Sequence, residues 1–128
     1  MIAPSPQDSA AVIARLEEAV AHIARLEQEA KTALYEEKNE DAYRRRMREK
    51  ALFVAGLPEA LAACLADAPA DLRARIEPAL NRFAHRGREA LSLDSVFYMS
   101  ALLYPASPVP GGPNKLELLI RTLKNSSR

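Results

Sequence analysis

The stretch LEQEAKTALYEEKNEDAYRRRMREK, residues 26–50, decides the fold, because two apolar stripes meet within it out of phase. The first stripe ends at Leu34 and the second begins at Tyr43. A single continuous helix would carry the first stripe onto charged residues such as Glu37 and Arg44, since apolar seams recur every three or four residues. The two stripes therefore predict two helices.

A break between these helices is predicted between Glu36 and Asp41. Asn39 in this segment suits either a left-handed residue that ends one helix or the N-cap of the next. The alternative is one long helix with a stutter, which the lack of Gly and Pro in this segment favours. With the break, the chain forms a long antiparallel helical hairpin over about residues 5–64, and Ser5 is the N-cap of its first helix.

The two stripes also predict a register, with spacings like those of a coiled coil. Pairing Leu34 with Tyr43 fixes every other layer, because each step back along the first helix matches an equal step forward along the second. The facing pairs are Leu34 and Tyr43, Ala30 and Met47, Glu27 and Lys50, Ile23 and Val54, Val20 and Leu57, Leu16 and Leu61, and Ile13 and Cys64. Since Glu27 and Lys50 are the only charged members, we predict that they form a structural ion pair.

The rest of the chain predicts three shorter helices. Pro78 lies inside the first of them and implies a kink, or a short helix followed by a longer one. Residues 96–104 are apolar on nearly all sides, so we expect a central, buried helix there. Asn114 followed by Glu117 predicts the start of the last helix.

The predicted fold class is all-α, with the long hairpin packed at one end against the three shorter C-terminal helices. The hairpin end around Tyr35 and Tyr43 would then project from the body. The chain is expected to be a single domain, and its parts are a helical hairpin (5–66), a small helical subdomain (67–124) and a frayed tail (125–128).

Composition limits the possible partners. The 128 residues carry a formal net charge of +1, so overall charge favours neither nucleic acid nor a membrane surface. No apolar run approaches the ~20 residues that span a bilayer, and the N-terminus lacks a signal-peptide pattern. The single cysteine, Cys64, excludes an internal disulfide and a cysteine-based metal site. We expect a cytoplasmic protein with no membrane partner.

No arrangement of side chains predicts a reaction centre. His22 is expected to be solvated and His85 to lie at the surface or half-buried. Cys64, surrounded by Ala and Leu, is expected to be a small core residue, because a nucleophilic role would need a nearby base. An enzyme would require Glu18, His22, His85 or Cys64 to converge. We therefore predict no catalytic residue, no metal site, no cofactor and no small-molecule substrate.

Two basic clusters are candidate contacts for nucleic acid or for a protein partner, because Arg stripes can track phosphates. Their members are Arg44, Arg45 and Arg48 in the first cluster and Arg75, Arg82 and Arg86 in the second. However, Glu40 precedes Arg44 by four residues and Asp41 precedes Arg45 by four, which is the favourable order for intrahelical ion pairs. A solvated, self-paired helix surface is therefore the preferred interpretation.

These features favour a non-enzymatic helical module for protein–protein interaction, such as an adaptor, a small chaperone or an assembly subunit. A partner, or a second copy of the chain, would bind the hairpin surfaces, because two helices leave one side of each seam open. The alternative is a nucleic-acid-associated protein, or a small subunit of a nucleoprotein complex, that uses the Arg-rich helix faces.

Overall fold

The computed structural model of the protein describes residues 6–105 and 112–126, and within these ranges it contains helices and no strand. The all-α class is therefore confirmed. The helices are α1 (Pro6–Lys31), α2 (Glu40–Ala55), α3 (Leu57–Ala66), α4 (Ala70–Ser92), α5 (Val96–Ala101) and α6 (Lys115–Ser126). The predicted N-cap at Ser5 and the last two residues of the predicted frayed tail lie outside the described residues.

The break between the first two helices falls where the sequence predicts it. α1 continues into a π-helical segment, Thr32–Glu36, and α2 begins at Glu40. The side-chain oxygen of Asn39 accepts a hydrogen bond from the backbone N–H of Ala42 at 3.0 Å, so Asn39 is the N-cap of α2. Lys38 takes the left-handed conformation, with φ at 55°. The alternative of one continuous helix is therefore wrong.

α1 and α2 pack against each other, and the predicted ion pair is present between them. Lys50 Nζ lies 2.9 Å from Glu27 Oε2, which gives the register of the two helices at that layer. The neighbouring seam residues Ile23 and Val54 are fully buried. Gly56 then ends α2, and α3 begins at Leu57 with Pro58 in its first turn. Proline is tolerated there because an N–H group in the first turn would have no acceptor within the helix.

α4 differs from the expected short C-terminal helix. It is a single helix of 23 residues that continues through Pro78, so the alternative of two separate helices is wrong. It packs along the flank of α2, as the contact of Gly87 with the backbone of Ala51 and Ala55 shows. The expected packing at one end of the hairpin is thus replaced by packing along its side. The reason is that the apolar face of α4 runs nearly its whole length and needs a partner of comparable length.

α5 is not the central, buried helix that the sequence predicts. It spans only six residues and packs against α2 and α4 at the surface. Met99 is buried, whereas Phe97 and Tyr98 are exposed. Leu102 and Leu103 are buried beyond the end of the helix, and Leu103 has a φ of 73°. A helix of under two turns against one surface can bury only one side, so its other apolar residues face outward.

α6 packs on α1 and completes the arrangement. Asn114 and Glu117 form the predicted reciprocal cap: the Glu117 N–H donates to Asn114 at 2.8 Å, and the Asn114 N–H donates to Glu117 at 3.0 Å. One hydrophobic core contains residues from all six helices. Because α4 lies against α2 and α6 lies against α1, an open groove separates α4 from α6.

Candidate functional site

The groove between α4 and α6, which we call the α4–α6 groove, has the hairpin as its floor. Val20 and Ala24 of α1 and Met47 of α2 form part of that floor. One face of α4 makes one wall, residues of α6 make the other, and α5 lies along the α4 side. The groove therefore exists because the two outer helices pack on different members of the hairpin.

Exposed apolar side chains are concentrated in this groove. Among the described residues, the large hydrophobic side chains that are exposed are Tyr35, Leu52, Leu93, Phe97, Tyr98 and Leu118. All of them except Leu52 line the α4–α6 groove. Phe97 is 74% exposed and Tyr98 is 54% exposed, and their rings meet edge to face at 5.7 Å. Large exposed apolar side chains that share one groove are typical of a protein-interaction site, whereas single scattered hydrophobic residues are not.

The charged side chains of the groove leave an excess of positive charge. Its carboxylates are engaged within the chain: Glu27 pairs with Lys50, Glu89 contacts His85, and Glu117 caps α6. The cations that line it are Lys31, Arg82, Arg86 and Lys115. Within the described ranges, none of these four cations forms an ion pair. Lys50 beneath the floor neutralises the charge of Glu27. The four cations of the lining therefore outnumber its remaining carboxylates, Glu89 and Glu117.

A buried polar network supports the floor of the groove. Lys50 is fully buried, and its Nζ donates to Glu27 at 2.9 Å and to the carbonyl oxygen of Ser100 at 2.9 Å. The Tyr104 hydroxyl donates to the other Glu27 oxygen at 3.0 Å, and Lys50 Nζ lies 5.2 Å from the centre of the Tyr104 ring. The network joins α1, α2 and the segment from α5 to Tyr104, so it holds α5 beside the groove.

Burial shifts the pKa values of two groups in this network in opposite directions. Burial lowers the pKa of Lys50, and the adjacent Glu27 carboxylate opposes that shift. Burial and the same carboxylate raise the pKa of Tyr104. Lys50 is enclosed and hydrogen-bonded, which suits a structural role better than that of a reacting amine.

We predict that Tyr104→Phe makes stability less sensitive to alkaline pH. The pKa of Tyr104 in the folded chain is raised above its ordinary value of 10.0. Above that pH the unfolded chain loses the tyrosine proton while the folded chain keeps it, so the free energy of unfolding falls as the pH rises. Urea titrations in alkaline buffers should show a steeper decline for the wild type than for Tyr104→Phe. Tyr35→Phe, at an exposed tyrosine, is the control and should keep the wild-type slope; equal slopes for all three proteins would contradict the prediction.

The first basic cluster does not form the local ion pairs that the sequence suggests. Within the described residues, no ion pair joins Glu40 to Arg44 or Asp41 to Arg45, so the expectation of self-pairing is wrong for Arg44 and Arg45. The neighbouring Arg46 instead pairs with Glu29 of α1 at 3.0 Å and with Glu49 at 2.8 Å. Cross-helix carboxylates therefore compete with local ones for the arginines of α2.

The six candidate arginines do not converge on one surface. Arg48 forms an ion pair with Asp94, beyond the end of α4. This contact, together with that of Gly87 on α2, shows that α2 and α4 run antiparallel. Arg44 and Arg75 then lie on opposite sides of the point where Gly87 meets α2, roughly 32 Å apart along the helix axes at 1.5 Å per residue. Only Arg82 and Arg86 of the six line the α4–α6 groove.

The titratable side chains considered for catalysis make contacts within the chain. His22 is half-buried against the ring of Phe53, with ring centres 4.4 Å apart, so the expectation of a solvated His22 is wrong. Glu18 pairs with Arg15 at 3.2 Å. The Cys64 thiol is half-buried, it donates to the Leu61 carbonyl oxygen, and burial raises its pKa, which disfavours the nucleophilic thiolate.

The described part of the chain contains no group of three or more His, Cys, Asp or Glu residues that could hold a metal ion. None of its helices combines the length and apolar character that crossing a membrane requires.

Comparison with protein-family models, with curated proteins and with solved structures gives no significant match.

Proposed function

We propose that this protein is a non-enzymatic protein–protein interaction module that binds its partner in the α4–α6 groove. The observation that carries the proposal is the concentration of exposed apolar side chains there, Phe97 and Tyr98 among them. Aromatic side chains of this kind contribute most to protein interfaces, because they bury a large area at a small cost in conformational entropy. The hairpin supplies the floor, so a bound partner would contact it as well.

The chemistry of the groove supports binding over catalysis. Five large apolar side chains are exposed in it, whereas a reaction would require an acid, a base or a nucleophile placed against a substrate. Its carboxylates have partners within the chain, and the nearest buried amine, Lys50, is enclosed beneath the floor. These residues stabilise the groove and leave it as a surface for recognition.

We predict that Phe97→Asp abolishes partner binding while Leu52→Asp does not. Both positions are exposed and apolar, at 74% and 56%, but only Phe97 lines the groove, so the pair separates a groove effect from a general loss of surface hydrophobicity. Affinity purification from the native host would identify the partner, and calorimetry with the purified partner would then measure both variants. Loss of an aromatic side chain that is a hot spot of the interface costs about tenfold or more in affinity, and a buried charge adds to that loss.

The two variants also define the result that would contradict the proposal. Circular dichroism should first show that both are folded, as is expected for substitutions of exposed side chains. If Phe97→Asp then binds the partner as tightly as wild type, or if Leu52→Asp loses binding equally, the partner does not occupy the α4–α6 groove.

A further inference from the structure

We propose that the segment bound in the α4–α6 groove is an amphipathic α-helix of about four turns with acidic residues along its polar flank. The inference rests on the proposed function and adds the conformation, the length and the charge of the partner segment. Three features of the groove carry it: the spacing of its α4 residues, the nature of its walls and the distribution of its cations.

The length follows from α4. Its lining residues recur at helical spacing, so one face of α4, extended by Leu93 just after its end, forms the wall from Ala79 to Leu93. Fourteen residue steps at 1.5 Å each make this wall roughly 21 Å long, which is the length of about four helical turns. Recognition of a helix in a groove uses apolar anchors at the same three- and four-residue spacing.

The walls favour a helix over an extended strand as the occupant. An extended peptide gains affinity by pairing its backbone with a free sheet edge. The described part of this chain has no strand, and the backbone groups of α4 and α6 are engaged within their helices. A helical segment satisfies its own backbone hydrogen bonds and can bury one apolar face against Phe97, Leu93 and Leu118.

The cations determine the charge of the partner. Arg82 and Arg86 lie one turn apart on the α4 wall, and Lys115 lies at the α6 wall. Within the described ranges all three lack an ion-pair partner, so a bound helix with carboxylates spaced one turn apart would pair with both arginines. A basic helix with the same apolar face would meet repulsion there, which gives the groove its selectivity.

A single-stranded nucleic acid is the main rival occupant, since exposed aromatic rings beside arginines can stack bases and bind phosphates. Two observations favour the helix. The exposed surface includes the aliphatic side chains Leu93 and Leu118, which offer no stacking face. Among the described residues, only two of the six candidate arginines line the groove, which leaves few of them to bind phosphates there.

Fluorescence anisotropy with the full chain would test the inference, with labelled peptides of about five turns, or roughly 18 residues, as probes. One peptide carries Leu and Phe at helical spacing with Glu on the flank, and a second has Lys in place of each Glu. We expect the acidic peptide to bind about tenfold more tightly than the basic one at low salt, with the difference shrinking as salt is added. The double variant Arg82→Glu, Arg86→Glu should reverse this preference. The double variant Arg44→Glu, Arg45→Glu, which changes exposed charges outside the groove, should leave it unchanged.

The outcomes separate this inference from the proposed function. If both peptides bind equally and Phe97→Asp abolishes both, the groove binds helices but the charge inference is wrong. If the acidic peptide does not bind and sedimentation shows a dimer that Phe97→Asp dissociates, the occupant is a second copy of the chain and the inference is wrong, while the interaction function stands. Binding of an oligothymidylate that Phe97→Asp abolishes, with no peptide binding, would overturn both.

Discussion

Replacing Lys50 by methionine should lower the free energy of unfolding by about 3 kcal/mol, the effect expected when one partner of a buried ion pair is removed. Methionine retains most of the aliphatic volume, so the loss comes from the polar network. The Glu27 carboxylate loses its counter-charge while its side chain is only 18% exposed, and the Ser100 carbonyl oxygen loses its donor. Urea denaturation followed by far-UV circular dichroism would measure the change.

The double variant Glu27→Leu, Lys50→Met distinguishes the ion pair from general packing. Removing both charges leaves no unpaired carboxylate, so the double variant should recover at least half of the stability that Lys50→Met loses. The Tyr104 hydroxyl would still lack its acceptor, and full recovery is therefore not expected. The single variant Glu27→Leu completes the comparison: if its loss of stability and that of Lys50→Met simply add in the double variant, the two side chains do not interact and the register of the hairpin does not depend on them.

Two features of the first two helices could be predicted from the sequence for a local physical reason. The break near Asn39 and the pairing of Glu27 with Lys50 both follow from residue spacing, because a helix periodicity of 3.6 determines which side chains share a face. A charged residue within each apolar stripe is costly unless the two meet, so the sequence also carries information about how the helices face each other. The packing of α4 along α2 could not be predicted in this way. Residue spacing shows which face of a helix is apolar, but it does not show which other helix packs against that face.

The groove could not be predicted for a related reason. Phe97, Tyr98 and Met99 have similar apolar character, yet only Met99 is buried. An all-apolar segment is compatible with a central core helix and with an exposed binding surface, and composition does not distinguish them. The apolar run continues to Tyr104, whereas α5 ends at Ala101, so its shortness is a property of the fold that composition does not show.

The arginines show the same limit for charges. Sequence spacing identifies Glu40 and Asp41 as partners of Arg44 and Arg45, but local pairs contribute only about 0.3–0.5 kcal/mol each. Carboxylates from other elements, such as Glu29 beside Arg46 and Asp94 beside Arg48, occupy positions that only the tertiary fold brings close.

Gly87→Leu should destabilise the protein by about 3 kcal/mol, the upper part of the range for overpacking a core. A Cβ atom at this position would lie 3.0 Å from the Ala51 carbonyl oxygen and 3.0 Å from the Ala55 nitrogen, closer than ordinary van der Waals contact. Both are backbone atoms in the last turns of α2, so relief requires α4 to move away as a unit. Glycine inside a helix costs about 1 kcal/mol relative to alanine, and the close approach of the two helices accounts for its presence here.

Gly56→Ala is the matched control, because the space and backbone there accept a side chain. The nearest atom to its Cβ would be the Leu52 carbonyl oxygen at 3.5 Å, and its φ of −95° is open to any residue. Alanine should therefore stabilise the protein by about 0.4–1 kcal/mol, through a smaller loss of chain entropy. Wild-type stability for Gly87→Leu would mean that α4 does not approach α2 as closely as the structure shows. α4 also forms a wall of the α4–α6 groove. A folded Gly87→Leu protein with a displaced α4 should therefore bind the partner more weakly than Gly56→Ala does. The close contact between α2 and α4 would then determine the width of the groove.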